Sequence, residues 1–317
     1  MSWGVIIMSN KVIATVINPG FLSTIQDMGR KGFQAFGVPE AGAMDREAAL
    51  IANLLVSNNE NAPLIEVTVM GLELEFATEA VVAVAGGDLN LQIDNIPQPM
   101  YQSLTIKAGS RLKFAGVRKG ARAYLAIGGE LSIPLVMESS STYLRGEIGG
   151  MKGRKIEKGD LLEGEAKIVP QKVLDESLVR DYNKREIRVL LNRDEDYFTG
   201  EGINTFLTSE YIISSQSDRM GYRMEGPEIA HRKGADIIST AINFGAIQVP
   251  GHGQPIVMMA DRQTVGGYTQ IGRVITSDLP YLAQMFPGEK ISFKEVSLRE
   301  AQNVYRDRLN LLRKALV

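Results

Sequence analysis

Ile65-Glu-Val-Thr-Val-Met-Gly71 and Ile238-Ser-Thr-Ala-Ile-Asn-Phe-Gly245 decide the fold class. Each is a short run with β-branched residues that ends on a glycine, the composition of a strand running into a turn. Comparable runs recur at Val12 to Ile17, Ala80 to Ala85, Leu89 to Ile93, Arg122 to Ile127, Ile187 to Leu191 and Ile256 to Met259. Helix-period patterning is scarce by comparison. The 32 glycines supply the turns and bulges that curved sheets need. A mainly β protein with few helices is expected.

The two opening runs also stand in a faint repeat. Asp45-Arg46 is echoed by Asp218-Arg219, Ile65 to Gly71 by Ile238 to Gly245, the run ending at Asp88 by the run ending at Asp261, and Gly109-Ser-Arg-Leu-Lys-Phe114 by Gly288-Glu-Lys-Ile-Ser-Phe293. The order is kept, and the spacing is about one domain. The expectation is therefore an internal duplication: residues 1–180 as an N-terminal β lobe with the Gln26-Asp27 loop, and 181–317 as a C-terminal β lobe with the Asp261 strand end and a closing helix. The polar stretch Gln171 to Arg185 reads as the linker, and a cleft between lobes is the natural place for a small ligand.

Two helices are marked. Asp45 is placed to cap a helix that ends at Leu55, and Ser297-Leu-Arg-Glu300 is a capping-box pattern ahead of Ala301, Val304, Tyr305, Leu309 and Leu312 on one face. This closing helix is expected to pack on the second lobe; the alternative is docking to a partner protein. Residues ahead of Met8 read as a start-site extension without a structural role.

Composition narrows the function. A formal net charge of −2 gives no basic footprint for nucleic acid or anionic lipid, and a small-molecule or protein partner is expected instead. Cysteine is absent, which excludes thiolate catalysis and Cys-ligated metals and suits the cytoplasm. No apolar run is long enough for a membrane span. Walker A, HExxH and dinucleotide glycine motifs are all missing. Met151-Lys152 stands in a glycine turn and is rejected as a biotin attachment site.

Three segments carry polar groups in unusual density. Gly20 to Gly32, continuing through Gly37-Val-Pro39 to Asp45, reads either as a ligand loop using Asp27, Arg30 and Asp45 or as a connection with Asp27 capping a turn and Arg30 paired to it. Met258 to Tyr268 reads as a strand ending in a ligand site at Asp261-Arg-Gln-Thr264, or as a turn with Asp261 and Arg262 paired. Asp218-Arg-Met-Gly-Tyr-Arg223 offers guanidinium forks for an anion, or a solvated surface.

Taken in order, Ser23-Thr-Ile-Gln-Asp-Met-Gly-Arg30, Gly37-Val-Pro39, Gly42-Ala-Met-Asp45, Gly149-Gly150 with Gly153-Arg154 and Gly159-Asp160, and Gly245-Ala-Ile-Gln-Val-Pro250 through Gly267-Tyr268 resemble the 5-oxoprolinase C-subunit family, also called allophanate hydrolase subunit 2 or the biotin-dependent carboxyltransferase domain. The resemblance implies two cyclophilin-like β-barrel lobes and partners that are the A and B subunits of a 5-oxoprolinase. It implies an ATP-dependent conversion of 5-oxo-L-proline to L-glutamate by the complex, with ATP and Mg at the complex level and no covalent biotin on this chain.

Carried over by motif, Asp27, Asp45 and Asp261 are the candidate catalytic residues. Gln26, Arg30, Arg219, Gln248, Thr264, Gly267 and Tyr268 are the candidate substrate or phosphate ligands, Gly29 and Gly221 are further motif positions, and whether a metal binds stays open. The family also admits a carboxyltransferase acting on urea or a related amide with carboxybiotin. A third reading is a regulator that binds a kinase-inhibitor-like B subunit.

Overall fold

The computed structural model describes residues 11–192 and 196–316; the extension ahead of Met8 lies outside them. All eight runs read as strands contain strand, including Leu64–Thr68 and Asp236–Ala241. The first part of the chain folds into two sheets. One has seven strands in the order Gly129–Leu131, Leu161–Ala166, Lys11–Pro19, Leu72–Phe76, Arg111–Phe114, Leu91–Ile93 and Ile96–Pro97. The other has five, in the order Leu22–Gln26, Leu64–Thr68, Lys119–Ile127, Ala80–Asp88 and Ser103–Ile106.

Alternation explains how these sheets are covered. In Ala80–Asp88, Val82 and Val84 join Ile25, Val67, Leu74 and Phe114 in a core enclosed by the sheets. Ala83 and Ala85, one residue out of phase, share a second core with helix α1 (Arg46–Leu55). Small side chains on that face let the helix approach closely.

The second part forms a closed barrel of seven strands: Glu186–Leu191, Gln270–Val274, Ala246–Gln248, Ile256–Met258, Gly221–Glu225, Glu210–Ile213 and Lys290–Glu295. Closure is made by a parallel pairing of the first and last of these, Ile187 opposite Phe293. Inside, Phe293 stacks on Phe206 of α2 (Gly200–Thr208) with centroids 4.6 Å apart. The short helix α3 (Leu279–Ala283) follows the barrel strand Gln270–Val274. Among the described residues only this part is a closed barrel; where a second barrel-like lobe was expected, the first part forms two sheets around a shared core.

Two other expectations change. Helix α4 (Leu298–Leu316) is capped by Ser297, whose Oγ accepts from the Glu300 N–H at 3.2 Å. It starts against the barrel, where Ala301 packs with Ile275 and Val296, but its far end buries Leu312 and Leu316 in the α1 core. The closing helix therefore fastens both halves instead of belonging to the second alone. The supposed linker is equally committed. Leu174 and Tyr182 are buried, and Lys172 Nζ donates to the Leu54 and Leu316 carbonyls at 3.2 and 2.6 Å. Among the described residues no helix is long and apolar enough to cross a membrane.

Candidate functional site

A polar seam runs between the five-stranded sheet and the barrel, and Arg219 is its centre. The guanidinium grips Asp261 with two parallel bonds, Nε to Oδ2 at 2.9 Å and Nη2 to Oδ1 at 2.8 Å. It also reaches across the seam to Glu66 and to the Gly42 carbonyl, the latter at 2.7 Å. Glu66 accepts further from the Met44 N–H at 2.9 Å and the Tyr124 hydroxyl at 2.8 Å. Arg122 donates to the Tyr222 hydroxyl at 2.8 Å and to the Ala283 carbonyl at 2.6 Å. All of these side chains are buried.

These charges settle each other. The Arg219 and Arg122 guanidiniums hold the Glu66 carboxyl below its usual value despite burial. For Asp261 burial is the larger influence and raises the carboxyl, with Arg219 opposing. The two groups read in sequence as a turn pair are not paired with each other: Asp261 binds Arg219, while Arg262 binds Glu40 at 2.8 Å.

Asp45 caps α1 as its position predicts, Oδ1 accepting from the Ala48 N–H at 2.9 Å. Its Oδ2 takes bonds from Tyr182 at 2.8 Å and from Gln284 of the barrel side at 3.0 Å. Burial pushes this carboxyl up to about 6, with hydrogen bonds from Gln284, Ala48 and Tyr182 opposing. The folded state then holds a proton that the unfolded chain releases near pH 4, so this group's contribution to stability is full below that value and is lost as pH rises through about 6. Asp45→Asn keeps the cap acceptor and cannot ionise. Its stability relative to wild type is expected to rise by roughly 2–3 kcal/mol between pH 4 and pH 7. Urea midpoints at both pH values check this, and a constant difference would refute it.

The Asp27 loop lies beside the seam. Asp27 accepts from Ser139 Oγ and the Gly29 N–H at 2.8 Å each, and from the Ser140 N–H at 2.6 Å. Arg30 is fully buried and donates to the Val136 and Ser141 carbonyls, both at 2.9 Å, in place of the pairing with Asp27 that a simple turn would use. Burial pulls its guanidinium below the ordinary value, with Asp27 and Asp261 both close enough to oppose the shift. Among the described residues its remaining nitrogen, Nη1, has no hydrogen-bond partner, and neither has Gln26 Oε1, although Gln26 Nε2 bonds Thr24 Oγ1 at 3.0 Å.

Asp27, Arg30, Asp45, Arg219 and Asp261 are thus gathered at one seam and the loop against it. Other candidates stand elsewhere. Gln248 is buried in the barrel strand Ala246–Gln248 with Nε2 unpaired. Gly267 and Tyr268 belong to a two-stranded ribbon made by Asp236–Ala241 and Val265–Tyr268, and Thr264 leads into it. Tyr268 is 40% exposed.

Neither Asp27 nor Asp261 lines the cavity that the structure shows most clearly. A cavity of about 390 Å³ lies beside them, walled by Met28, Met44, Phe244, Leu279 and Leu309 and by the charged side chains of Arg46 and Arg273. Sequence reading missed Arg46, Arg273, Phe244 and Ser277, and also Glu66, Arg122 and Gln284 of the seam. Only Arg46, as the neighbour of Asp45, carried any signal. Among the described residues no group of three or more His, Asp or Glu is arranged to hold a metal ion, and the cavity's Glu47 and Glu60 are each bound to arginines.

A family model described as "Carboxyltransferase domain, subdomain A and B" matches residues 36–295. The chain is 37% identical over 292 residues to the C subunit of 5-oxoprolinase from Haemophilus influenzae, covering 90% of this chain and 91% of that protein. It is 38% identical to the corresponding 5-oxoprolinase C subunit of Escherichia coli, covering 92% and 94%. The crystal structure of the K. lactis urea amidolyase superposes with a TM-score of 0.90 at 27% identity, over 96% of this chain and 20% of that one. With the match spanning most of the chain, the protein belongs to the carboxyltransferase domain, subdomain A and B, family.

Proposed function

We propose that this chain is the C subunit of an ATP-dependent 5-oxoprolinase, active in a cytoplasmic complex with A and B subunits and inactive alone. One observation carries the reading: the match covers more than nine-tenths of the relatives that bear that name, but only 20% of the urea amidolyase chain. The likeness in fold to the urea amidolyase supports the second reading, a carboxyltransferase acting on urea or a similar amide with carboxybiotin.

In the proposed reaction the lactam C–N bond breaks, a water-derived oxygen ends on the carbonyl carbon and the ring nitrogen leaves as an amine, while ATP is split to ADP and phosphate. A resonance-stabilised lactam resists water, and each ~1.4 kcal/mol taken from that barrier is worth tenfold in rate. ATP and Mg²⁺ are assigned to the complex as a whole. Arg30 and Arg219 orient anionic groups, Asp45 or Asp261 manages the proton, and Gln26, Gln248, Thr264, Gly267 and Tyr268 contact substrate or a partner. The division into duplicated β lobes, 1–180 and 181–317, belongs to the same proposal. It is supported by Gly109 and Gly288, each in a left-handed turn with φ +85° and +89° ahead of the strands Arg111–Phe114 and Lys290–Glu295.

The test is glutamate formation from 5-oxo-L-proline and ATP by this chain with its A and B partners. Wild type is expected to turn over, and Asp261→Asn to lose at least about tenfold while still assembling. Turnover of urea with a biotin carrier in place of 5-oxoproline would overturn the reading.

A further inference from the structure

The cavity beside the seam has a polar wall that the protein itself leaves unsatisfied. Three guanidiniums converge on Phe244. Arg46 lies over its ring at 5.0 Å, Arg262 at 5.6 Å, and Arg273 Nε donates to its carbonyl at 3.1 Å. One carboxylate serves them, Glu40, paired with Arg46 at 2.9 Å and Arg262 at 2.8 Å. Arg273 has no carboxylate within ion-pair distance among the described residues. Among the described residues Arg46 Nε is buried without a hydrogen-bond partner, and so is the hydroxyl of Ser277, a cavity-lining residue only 5% exposed. Unpaired buried donors are costly unless something accepts from them.

The other charges facing this space do not supply the missing anion. Arg308 holds Glu47 at 2.7 Å and Arg313 holds Glu60 at 2.9 Å, so both acids are neutralised, and Lys31 adds a further cation. Excess positive charge in a partly desolvated pocket attracts an oxyanion, and guanidiniums suit a carboxylate or phosphate. Burial pulls the Arg273 guanidinium below its ordinary value and the Arg46 charge adds to the shift, with Glu40 opposing. The remaining wall is apolar, with Met28, Met44, Leu50, Leu279 and Leu309. A bare inorganic ion would leave that surface facing water, whereas a compact apolar body would cover it.

We propose that this cavity is a binding site for a small organic monocarboxylate, its carboxylate held by Arg46, Arg273 and Ser277 and its body seated between Phe244, Leu279 and Leu309. The choice of 5-oxo-L-proline as first probe rests on the function proposed above; the site itself does not. Because α1, α4 and the barrel edge all contribute walls, an occupant also braces α4 against the barrel.

Calorimetric titration of the full chain, alone and in complex with its partner subunits, would use 5-oxo-L-proline, cyclopentanecarboxylate and inorganic phosphate. Saturable binding of both carboxylates is expected, weakened about tenfold or more by Arg273→Gln and about threefold or more by Ser277→Ala. Ser277→Ala removes a hydroxyl with no partner, so the fold should tolerate it even if Arg273→Gln does not fold. The proposal is overturned if neither carboxylate binds in either form, if phosphate alone binds, or if folded variants bind as wild type does. Carboxylate binding without glutamate formation by the complex would instead sink only the 5-oxoprolinase reading.

Discussion

Arg219→Ala is expected to lower stability by about 3–5 kcal/mol at neutral pH, because it strands two buried carboxylates at once. Asp261 loses both of its guanidinium bonds, and Glu66 loses its partner from the barrel side. Arg122, with its Nε 3.9 Å from Glu66, stays as an ion-pair neighbour but makes no hydrogen bond to it among the described residues, so it offsets the loss only in part. A pH signature separates this from simple loss of packing. Protonation relieves an orphaned carboxylate, so the deficit should shrink as pH falls from 7 toward 5, read as the difference in urea midpoints between variant and wild type. A deficit under about 1 kcal/mol, or one that does not change with pH, would show that Arg219 does not organise the seam.

The second large effect is expected at Gly149. Its φ is +72°, and a Cβ there would lie 2.1 Å from the Ser141 carbonyl oxygen and 2.9 Å from Arg30 Nη2. Those two atoms form one of the bonds that hold Arg30 in place. Gly149→Ala therefore combines a left-handed backbone with a collision at the Arg30 anchor, and roughly 3–5 kcal/mol should be lost. Gly37→Ala is the matched control, since its φ of +78° is similar but nothing lies within 4 Å of the added Cβ. Backbone cost alone predicts about 1–2 kcal/mol there. Equal losses at the two positions would mean that the collision relaxes freely and that the glycine turn does not fix Arg30.

The two variants probe opposite sides of the same arrangement. Arg219 ties the barrel to the sheets, and Gly149 leaves the space in which Arg30 lies near Asp261. Together with the capped Asp45, these contacts join the barrel to the sheets where the family motifs meet.

The strands, the α1 cap and the Ser297 cap were legible because their causes are local: β-branched side chains favour the pleat wherever they occur, and a cap joins residues three apart. Helices α2 and α3 were missed for equally local reasons. Glycine at positions 200 and 202 makes the start of α2 resemble a loop, and α3, with five residues, is too short to show a period. The family motifs picked out Asp27, Arg30, Asp45, Arg219 and Asp261, but not the partners that give them their state. Glu66 sits in a strand run as one polar residue among apolar ones, and nothing beside it announces Arg219, 153 residues away.

What the sequence determined by itself was the β class, the starts of α1 and α4 and the family, all carried by short-range preference or by motif order. Tertiary structure alone decided that one half closes into a barrel while the other forms stacked sheets, that α4 and the linker fasten the two, and that a cavity walled by Arg46, Arg273 and Phe244 opens beside the motif residues. The reason is that burial and charge pairing depend on which distant segments share a space, and that sharing is settled only when the whole chain packs.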